Sequence, residues 1–349
     1  MTEETAMHDH GRQIRMDLNE SPVAIDDSSA ALLADVLRTA NRYPRGVLQR
    51  RLTHVIAQRN GCAPENVVLG AGSVSLLEAV WSCTVDPGDP VVFAEPGFEM
   101  YPWLTVRRGG TPMSVPLAPG FRTDLKQIRH LVRTARPALV AITNPHNPSG
   151  TRCPDAELTS FLAEVRTDTV VVVDEAYVDF DERADLAASA AAAVDAPNVV
   201  LTRTLSKAHG LAGLRIGYAI AHADLARRLA ASTLPFAVTD VACAAASAAM
   251  DTVDDKVARI RAMRASLTEQ LRDLGLEVPD SAANFVLVVG HHDLADRLAD
   301  RGVLVSRSPL GVRITIGHEQ GGDRVVEGVR EYCAARHGSS KENQPTGRQ

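Results

Sequence analysis

The 349-residue sequence predicts an α/β fold with a mostly parallel sheet, and three observations predict it. Short unbroken apolar runs alternate with helical patterns from about residue 45 to 230, as buried parallel strands and their crossover helices do. Polar clusters close several of these runs: Asn144-Pro-His-Asn-Pro-Ser-Gly150 follows 138–143, and Asp174-Glu-Ala-Tyr177 follows Val170–Val173. In sheets of this kind ligands bind beyond the carboxyl ends of the strands. The last stretch of the chain changes character. Two short strands, in Asn284–Val289 and Val312–Gly317, flank a helical 293–301 and predict a smaller α+β domain.

Taken in order, residues 1–15 are polar and acidic and read as a flexible arm, and 16–40 as an N-terminal segment that joins the smaller domain. Residues 41–235 form the large domain, with strands near 66–69, 91–95, 138–143, 170–174, 199–203 and 216–220. The first strand runs into Leu69-Gly-Ala-Gly-Ser73 and then the helical Val74–Trp81. Glycines at a helix N-terminus let backbone N–H groups approach a phosphate closely, and Ser73 or Ser75 can cap. Alone, that stretch is an ordinary strand-to-helix turn. The second strand leads to Glu95-Pro-Gly-Phe98, with Tyr101 just beyond, in a chain only 4% aromatic. The fifth leads to Thr204-Leu-Ser-Lys207. Alanine-rich residues 223–270 read as long helices, 236–336 as the smaller domain, and 337–349 as a flexible polar tail.

Bulk properties exclude several classes. A net charge of −6 argues against a nucleic-acid binder that relies on phosphate neutralisation. No apolar stretch approaches the ~20 residues that span a bilayer, and the first ten residues lack the pattern of a secretory signal. The five cysteines have no metal spacing and an odd count, so reduced thiols in a cytoplasmic protein are the expectation, with no metal.

Lysine is scarce: Lys126, Lys207, Lys256 and Lys341 are the only ones among 37 basic residues. Arginine carries a surface charge as well as lysine does, but its guanidinium is never a free amine. Lys207 stands at the end of a strand, between Ser206 and the glycine-punctuated Gly210-Leu-Ala-Gly-Leu-Arg215. Its placement suggests chemistry that needs an amine.

Together these motifs resemble the pyridoxal-phosphate enzymes of the aminotransferase class I/II family, fold type I, over residues 15 to 335. Within it they are most similar to histidinol-phosphate aminotransferases. The resemblance implies a large domain around a mostly parallel seven-stranded sheet flanked by helices, a smaller α+β domain, and a homodimer with composite sites. It implies pyridoxal 5'-phosphate as cofactor, held as a Schiff base on Lys207. Ala71, Gly72, Ser73, Thr204, Ser206 and Arg215 would hold the phosphate. Asp174 would keep the ring nitrogen protonated, Asn147 and Tyr177 would meet the ring's phenolic oxygen, and Phe98 would stack on the ring. Tyr43, in Tyr-Pro-Arg-Gly, would reach the neighbouring subunit's phosphate. Arg313 would clamp the substrate's anionic group, and Asn19 lies in the segment that closes over the site.

Three departures bear on the substrate. Where the family ends Gly302-Val-Leu-Val in arginine, this chain has Ser306, and Arg307 comes one place later. One place on a strand is the opposite face unless a bulge re-aims it, so Arg307 is a candidate substrate residue of uncertain register. The usual Asn-Pro-Tyr-Gly element is replaced by Glu20-Ser-Pro-Val23, and His209 stands where phenylalanine is usual. The leading expectation is transamination of an anionic amino donor, histidinol-phosphate-like or an amino acid, to a 2-oxo acid. The alternative is threonine-phosphate decarboxylation in cobalamin synthesis, of which His8-Asp-His-Gly11 is a faint echo. A regulator with an inactive aminotransferase-like domain lacks room here for a DNA-binding helix-turn-helix before residue 40. A nicotinamide dehydrogenase would need a third glycine after Gly70-Ala-Gly.

Overall fold

The structure, a computed structural model, describes residues 13–317 and 319–342. Strand β1 (Ile14–Met16) opens it, followed by helices α1 (Asp27–Leu37) and α2 (Val47–Arg59). Then come β2 (Val67–Gly70), α3 (Ser73–Thr84), β3 (Pro90–Glu95), α4 (Met100–Arg107), β4 (Thr111–Pro116) and α5 (Leu125–Ala135). The chain continues through β5 (Leu139–Thr143), α6 (Asp155–Glu164), β6 (Val170–Asp174), α7 (Leu186–Asp195), β7 (Val199–Thr204) and β8 (Gly217–Ile220). Helices α8 (Ala223–Ser232), α9 (Asp240–Ala249) and α10 (Val253–Asp273) follow. The last part holds β9 (Phe285–Val289), α11 (Leu294–Asp300), β10 (Val303–Ser308), β11 (Gly311–Thr315) and α12 (Glu319–Glu342).

Seven strands form one sheet in the order β2-β8-β7-β6-β5-β3-β4, all parallel except β8. The all-apolar runs follow from burial on both faces. In β6, Val171 and Val173 enter the cluster under α2, α5, α6, α7 and α9, while Val170 and Val172 enter the one under α3, α4 and α8. Strand β5 divides the same way, with Val140 and Ile142 on one side and Leu139 and Ala141 on the other. Each such side chain removed from water contributes about 1.5–3 kcal/mol, so a polar residue is tolerated only where a strand ends. The second sheet, β1-β10-β11-β9, packs its buried face on α10, α11 and α12.

The structure corrects four sequence expectations. Strand β4 has no apolar run to announce it; as an edge strand it carries Pro112 and Pro116, which only an edge accepts. Ile14 and Arg15, expected in the flexible arm, pair parallel with Val303 and Leu304. The boundary expected at 236 does not mark the end of the large-sheet core: Ala242–Ala246, Ala249 and Met250 belong to it, and Leu33 of α1 joins them. Helix α12 runs on through residues 337–342, which were expected to belong to the tail. The rest of that tail, 343–349, and the arm with His8-Asp-His-Gly11 lie outside the described residues.

Candidate active site

The carboxyl ends of β5, β6 and β7 place three polar side chains in one row. Thr143 is the register partner of Asp174, and Asp174 of Thr202. All three share the face that buries Val172, Val200 and Ala141 below them. Asp174 is 2% exposed and forms the floor of a cleft of about 370 Å³. Its Oδ2 accepts from the Tyr101 hydroxyl at 3.1 Å and its Oδ1 from the Ala176 N–H at 3.2 Å. Among the described residues none forms an ion pair with it. Burial pushes its pKa up to about 6, against the pull of these hydrogen bonds. The adjacent Glu175 leaves the opposite face of β6 and is buried against Arg203, at 2.6 Å. Arg203 also donates to Asn60 Oδ1 and to Ser189 Oγ at 2.7 Å. Of two neighbouring carboxylates, one faces the cleft and the other is neutralised in the core.

One wall is an anion cup. Ser73 lines the cleft at the N-terminus of α3, where backbone N–H groups have no intrahelical partner. Ala71 lies in the turn before it, and Gly72 adopts φ +81°. A Cβ on Gly72 would lie 2.5 Å from Arg215 Nη2, so the glycine is what lets the guanidinium in. Arg215 itself takes φ +50° and is held by Nη1 donating to Ala212 O at 2.9 Å. Thr204 donates to Ser206 Oγ at 2.9 Å, and both line the same wall.

Lys207 stands at the cleft beside this cup, its Nζ donating to the carbonyl of Leu18 at 2.8 Å. Burial, then the positive charges of Arg313 and Arg215, bring its pKa down to about 8, with Glu20 pulling the other way. The segment carrying Leu18 crosses the site from the smaller sheet. Asn19 anchors it with φ +54°: its Nδ2 donates to Tyr177 Oη at 3.0 Å and its Oδ1 accepts from Thr315 at 3.0 Å. Tyr177 lines the cleft and sets its ring edge-on to Phe285, centroids 5.1 Å apart. Phe98 and Asn147 line it as well. Arg313 stands behind Asn147, donating to its Oδ1 at 2.6 Å and to the Asp17 carbonyl at 2.7 Å. Its Nε is buried without a partner.

Two of the sequence candidates lie elsewhere. Arg307 is half exposed, pairs with Asp296 and donates to His292 O at 3.0 Å, on the side of β10 away from the cleft. Its neighbour Ser306 is the register partner of Arg313. Tyr43 is 79% exposed and meets the ring of Phe236 at 5.1 Å, outside the cleft. His209 is buried, and burial lowers its pKa. Tyr101 stood out in the sequence beside Phe98 but was given no role, and Thr143 and Glu20 were not singled out as site residues. The polar residue ending the β5 run was the available sign of Thr143; nothing marked Glu20 as a cleft residue.

Residues 14–329 match the family model "Aminotransferase class I and II". An aromatic amino acid aminotransferase of Rhodococcus jostii is 40% identical over 283 residues, 80% of this chain and 78% of that one. Its counterpart from Streptomyces avermitilis is 36% identical over 275 residues, 78% and 76% of the two chains. Among solved structures, the histidinol-phosphate aminotransferase of Sinorhizobium meliloti in complex with pyridoxal-5'-phosphate superposes with a TM-score of 0.86 at 27% identity, covering 96% of this chain and 95% of that one. The chain therefore belongs to the class I and II aminotransferases and uses pyridoxal phosphate. The cleft fits that group on its own chemistry. A buried carboxylate without a cation suits a protonated ring nitrogen, and a helix N-terminus with two hydroxyls and an arginine suits a phosphate.

Proposed function

We propose that the chain transfers the amino group of an aromatic amino acid to a 2-oxo acid, with Arg313 as the carboxylate anchor. The observation that carries this reading is the register of β10 and β11, which sets Ser306 beside Arg313 and turns Arg307 away. One guanidinium on the cleft side suits a single carboxylate at the donor's Cα. Leu18 and Phe98 give the cleft apolar surface for a ring, and the names of the Rhodococcus and Streptomyces relatives support the same substrate class. A phosphate-bearing donor such as histidinol phosphate is the second reading, favoured by the likeness to the Sinorhizobium enzyme. The decarboxylase alternative gains no support from these relatives.

Bound in the cleft, pyridoxal phosphate supplies an aldehyde that captures amines and a ring that accepts electrons when a bond at Cα breaks. In this reading Ser73, Thr204, Ser206 and Arg215 hold its anionic end. Asp174, ionised above about pH 6, keeps the ring nitrogen protonated. Tyr177 and Asn147 donate hydrogen bonds at the far edge. Lys207 Nζ would supply the amine and take the proton from the donor's Cα. A pKa near 8 leaves about a tenth of it unprotonated at pH 7, far more than an ordinary lysine keeps. The donor's carboxylate replaces the Asp17 carbonyl on Arg313, while Asn19 holds the covering segment in place. Two copies complete the site: Tyr43, exposed with Phe236 and Leu234 in an apolar patch, reaches the partner's phosphate cup.

The experiment is a half-reaction panel on the yellow protein, following its conversion to the pyridoxamine form. Phenylalanine and tyrosine should convert it with higher kcat/KM than histidinol phosphate. A strong preference for histidinol phosphate would remove the aromatic reading and favour the second.

A further inference from the structure

Tyr101 is held more firmly than a core side chain needs to be. Its ring stacks on Trp81 at 5.8 Å and 11°, meets Phe98 edge-on at 5.5 Å, and leans on Phe93 at 6.2 Å. The Trp81 indole donates to Thr105 Oγ1 at 2.9 Å, and that hydroxyl donates to the Tyr101 carbonyl at 2.8 Å. At the other end, the Tyr101 oxygen lies 2.7 Å from Thr143 Oγ1 and 3.1 Å from Asp174 Oδ2. A phenol has one proton, and an ionised carboxylate can only accept. The Tyr101 proton therefore goes to Asp174, and the Thr143 proton goes to Tyr101. Burial and the neighbouring Asp174 push the Tyr101 pKa far up, so the phenol stays a donor.

We infer that Tyr101, with Thr143 behind it, is a positioning residue that holds the cleft-floor carboxylate ionised and turns its remaining lone pairs to the cleft. The inference rests on the reading of Asp174 as the partner of the cofactor's ring nitrogen. Three further groups act on Asp174. The Thr202 hydroxyl lies beside it from β7 and favours the charged form. Glu175, the residue after it, opposes that form but is paired with Arg203. Tyr177 faces it from the loop after β6. Of the side chains named, Tyr101 is the one whose ring is packed by three aromatic neighbours, so its donor is preorganised where a mobile hydroxyl would have to be ordered.

The test is titration of the full-length chain with pyridoxal phosphate from pH 5 to 9, in wild type, Tyr101→Phe, Thr143→Val and Asp174→Asn. Phenylalanine keeps the stacked ring and removes only the donor. Without that donor the Asp174 pKa rises further, so the carboxylate is lost at higher pH. Cofactor affinity of Tyr101→Phe should match wild type at pH 8.5 and fall about tenfold or more below it between pH 5 and 6, the loss of one hydrogen bond to a charged group. Thr143→Val should shift the acid limb the same way by less, and add nothing in the Y101F background. A purely structural role predicts a uniform loss at every pH and overturns the inference. So does a Tyr101→Phe limb at the wild-type pH when Asp174→Asn abolishes the wild-type limb. If Asp174→Asn itself titrates like wild type, the reading of Asp174 is what fails.

Discussion

Ser306 and Arg313 are directly opposed residues of the antiparallel pair β10–β11, and directly opposed residues send their side chains to the same face. Arg307, one place along, opposes Val312, which is fully buried, and its side chain ends on Asp296 at the rim of α11. No bulge intervenes between Ser306 and Ser308 to re-aim it.

Arg307→Ala should therefore leave kcat/KM unchanged for every donor, because an exposed ion pair is worth at most ~1 kcal/mol to the fold. Arg313→Ala should cost about 2–5 kcal/mol in kcat/KM for all carboxylate donors. Ser306→Arg should raise kcat/KM for histidinol phosphate and not for phenylalanine. Steady-state kinetics of the three variants on both donors check this, and a large loss from Arg307→Ala would show that the strand presents its other face to the substrate.

The Lys207 amine should react as a base with a pKa near 8. Its value is depressed by burial and by Arg313 and Arg215, so the neutral amine dominates above pH 8, where an ordinary lysine is still almost fully charged. Pulse labelling of the cofactor-free chain with an amine-reactive ester across pH 6–10, with the Lys207 peptide quantified by mass spectrometry, should give a midpoint near 8. A midpoint near the ~10.4 of an ordinary lysine would contradict the site's electrostatics. Arg313→Ala should move the midpoint upward.

Asp174 should be a stability burden in the cofactor-free chain at neutral pH. Its folded pKa, about 6, is raised above the usual ~3.9, so the favourable contribution is present below pH ~4 and lost as pH rises through about 6. The difference amounts to about 3 kcal/mol on the order-of-magnitude scale of 1.36 kcal/mol per unit. Asp174→Asn should then unfold at higher urea than wild type at pH 8, with the gain shrinking toward pH 4. The same variant should lose about a hundredfold or more in turnover, ~2.7 kcal/mol. A wild type equally stable relative to Asp174→Asn at both pH values would contradict the raised pKa.

Asn19 combines a left-handed backbone with four side-chain and backbone bonds, one to Tyr177, two to Thr315 and one to Asn284. Asn19→Gly keeps the backbone angle and loses the side chain, whereas Asn19→Ala loses both. Alanine should be less stable than glycine by about 1 kcal/mol, and both should raise KM for the donor more than they lower kcat. Thermal melts and steady-state kinetics separate the two effects; equal melting of the two variants would mean the φ of +54° is not held in solution.

Much of the fold was legible because burial on both faces leaves a mark that chemistry cannot disguise. Four consecutive valines before Asp174 can form little but a central parallel strand, and their alternation into two separate clusters is what the structure shows. Edge strand β4 left no such mark, since one face and one edge are open to solvent and proline is tolerated there. The boundary of the large core near 236 was misread because alanine-rich helices carry no directional pattern. Only the packing of α9 on α1 and α2 assigns its face.

By itself the sequence determined the α/β class, the lysine set apart from an arginine-rich chain, and the polar clusters waiting at strand ends, since these depend on local composition and period. Which groups act together was decided by tertiary structure. The division of labour between Asp174 and Glu175 depends on which sheet face each leaves, and on Arg203 being buried beneath one of them. The relay from Thr143 through Tyr101 spans 73 residues of chain to Asp174 and has no sequence period. The same holds for Lys207 against Leu18 and for Arg313 against Asp17. Hydrogen bonds are short and directional, so residues far apart in sequence meet only when the sheet register sets them within about 3 Å.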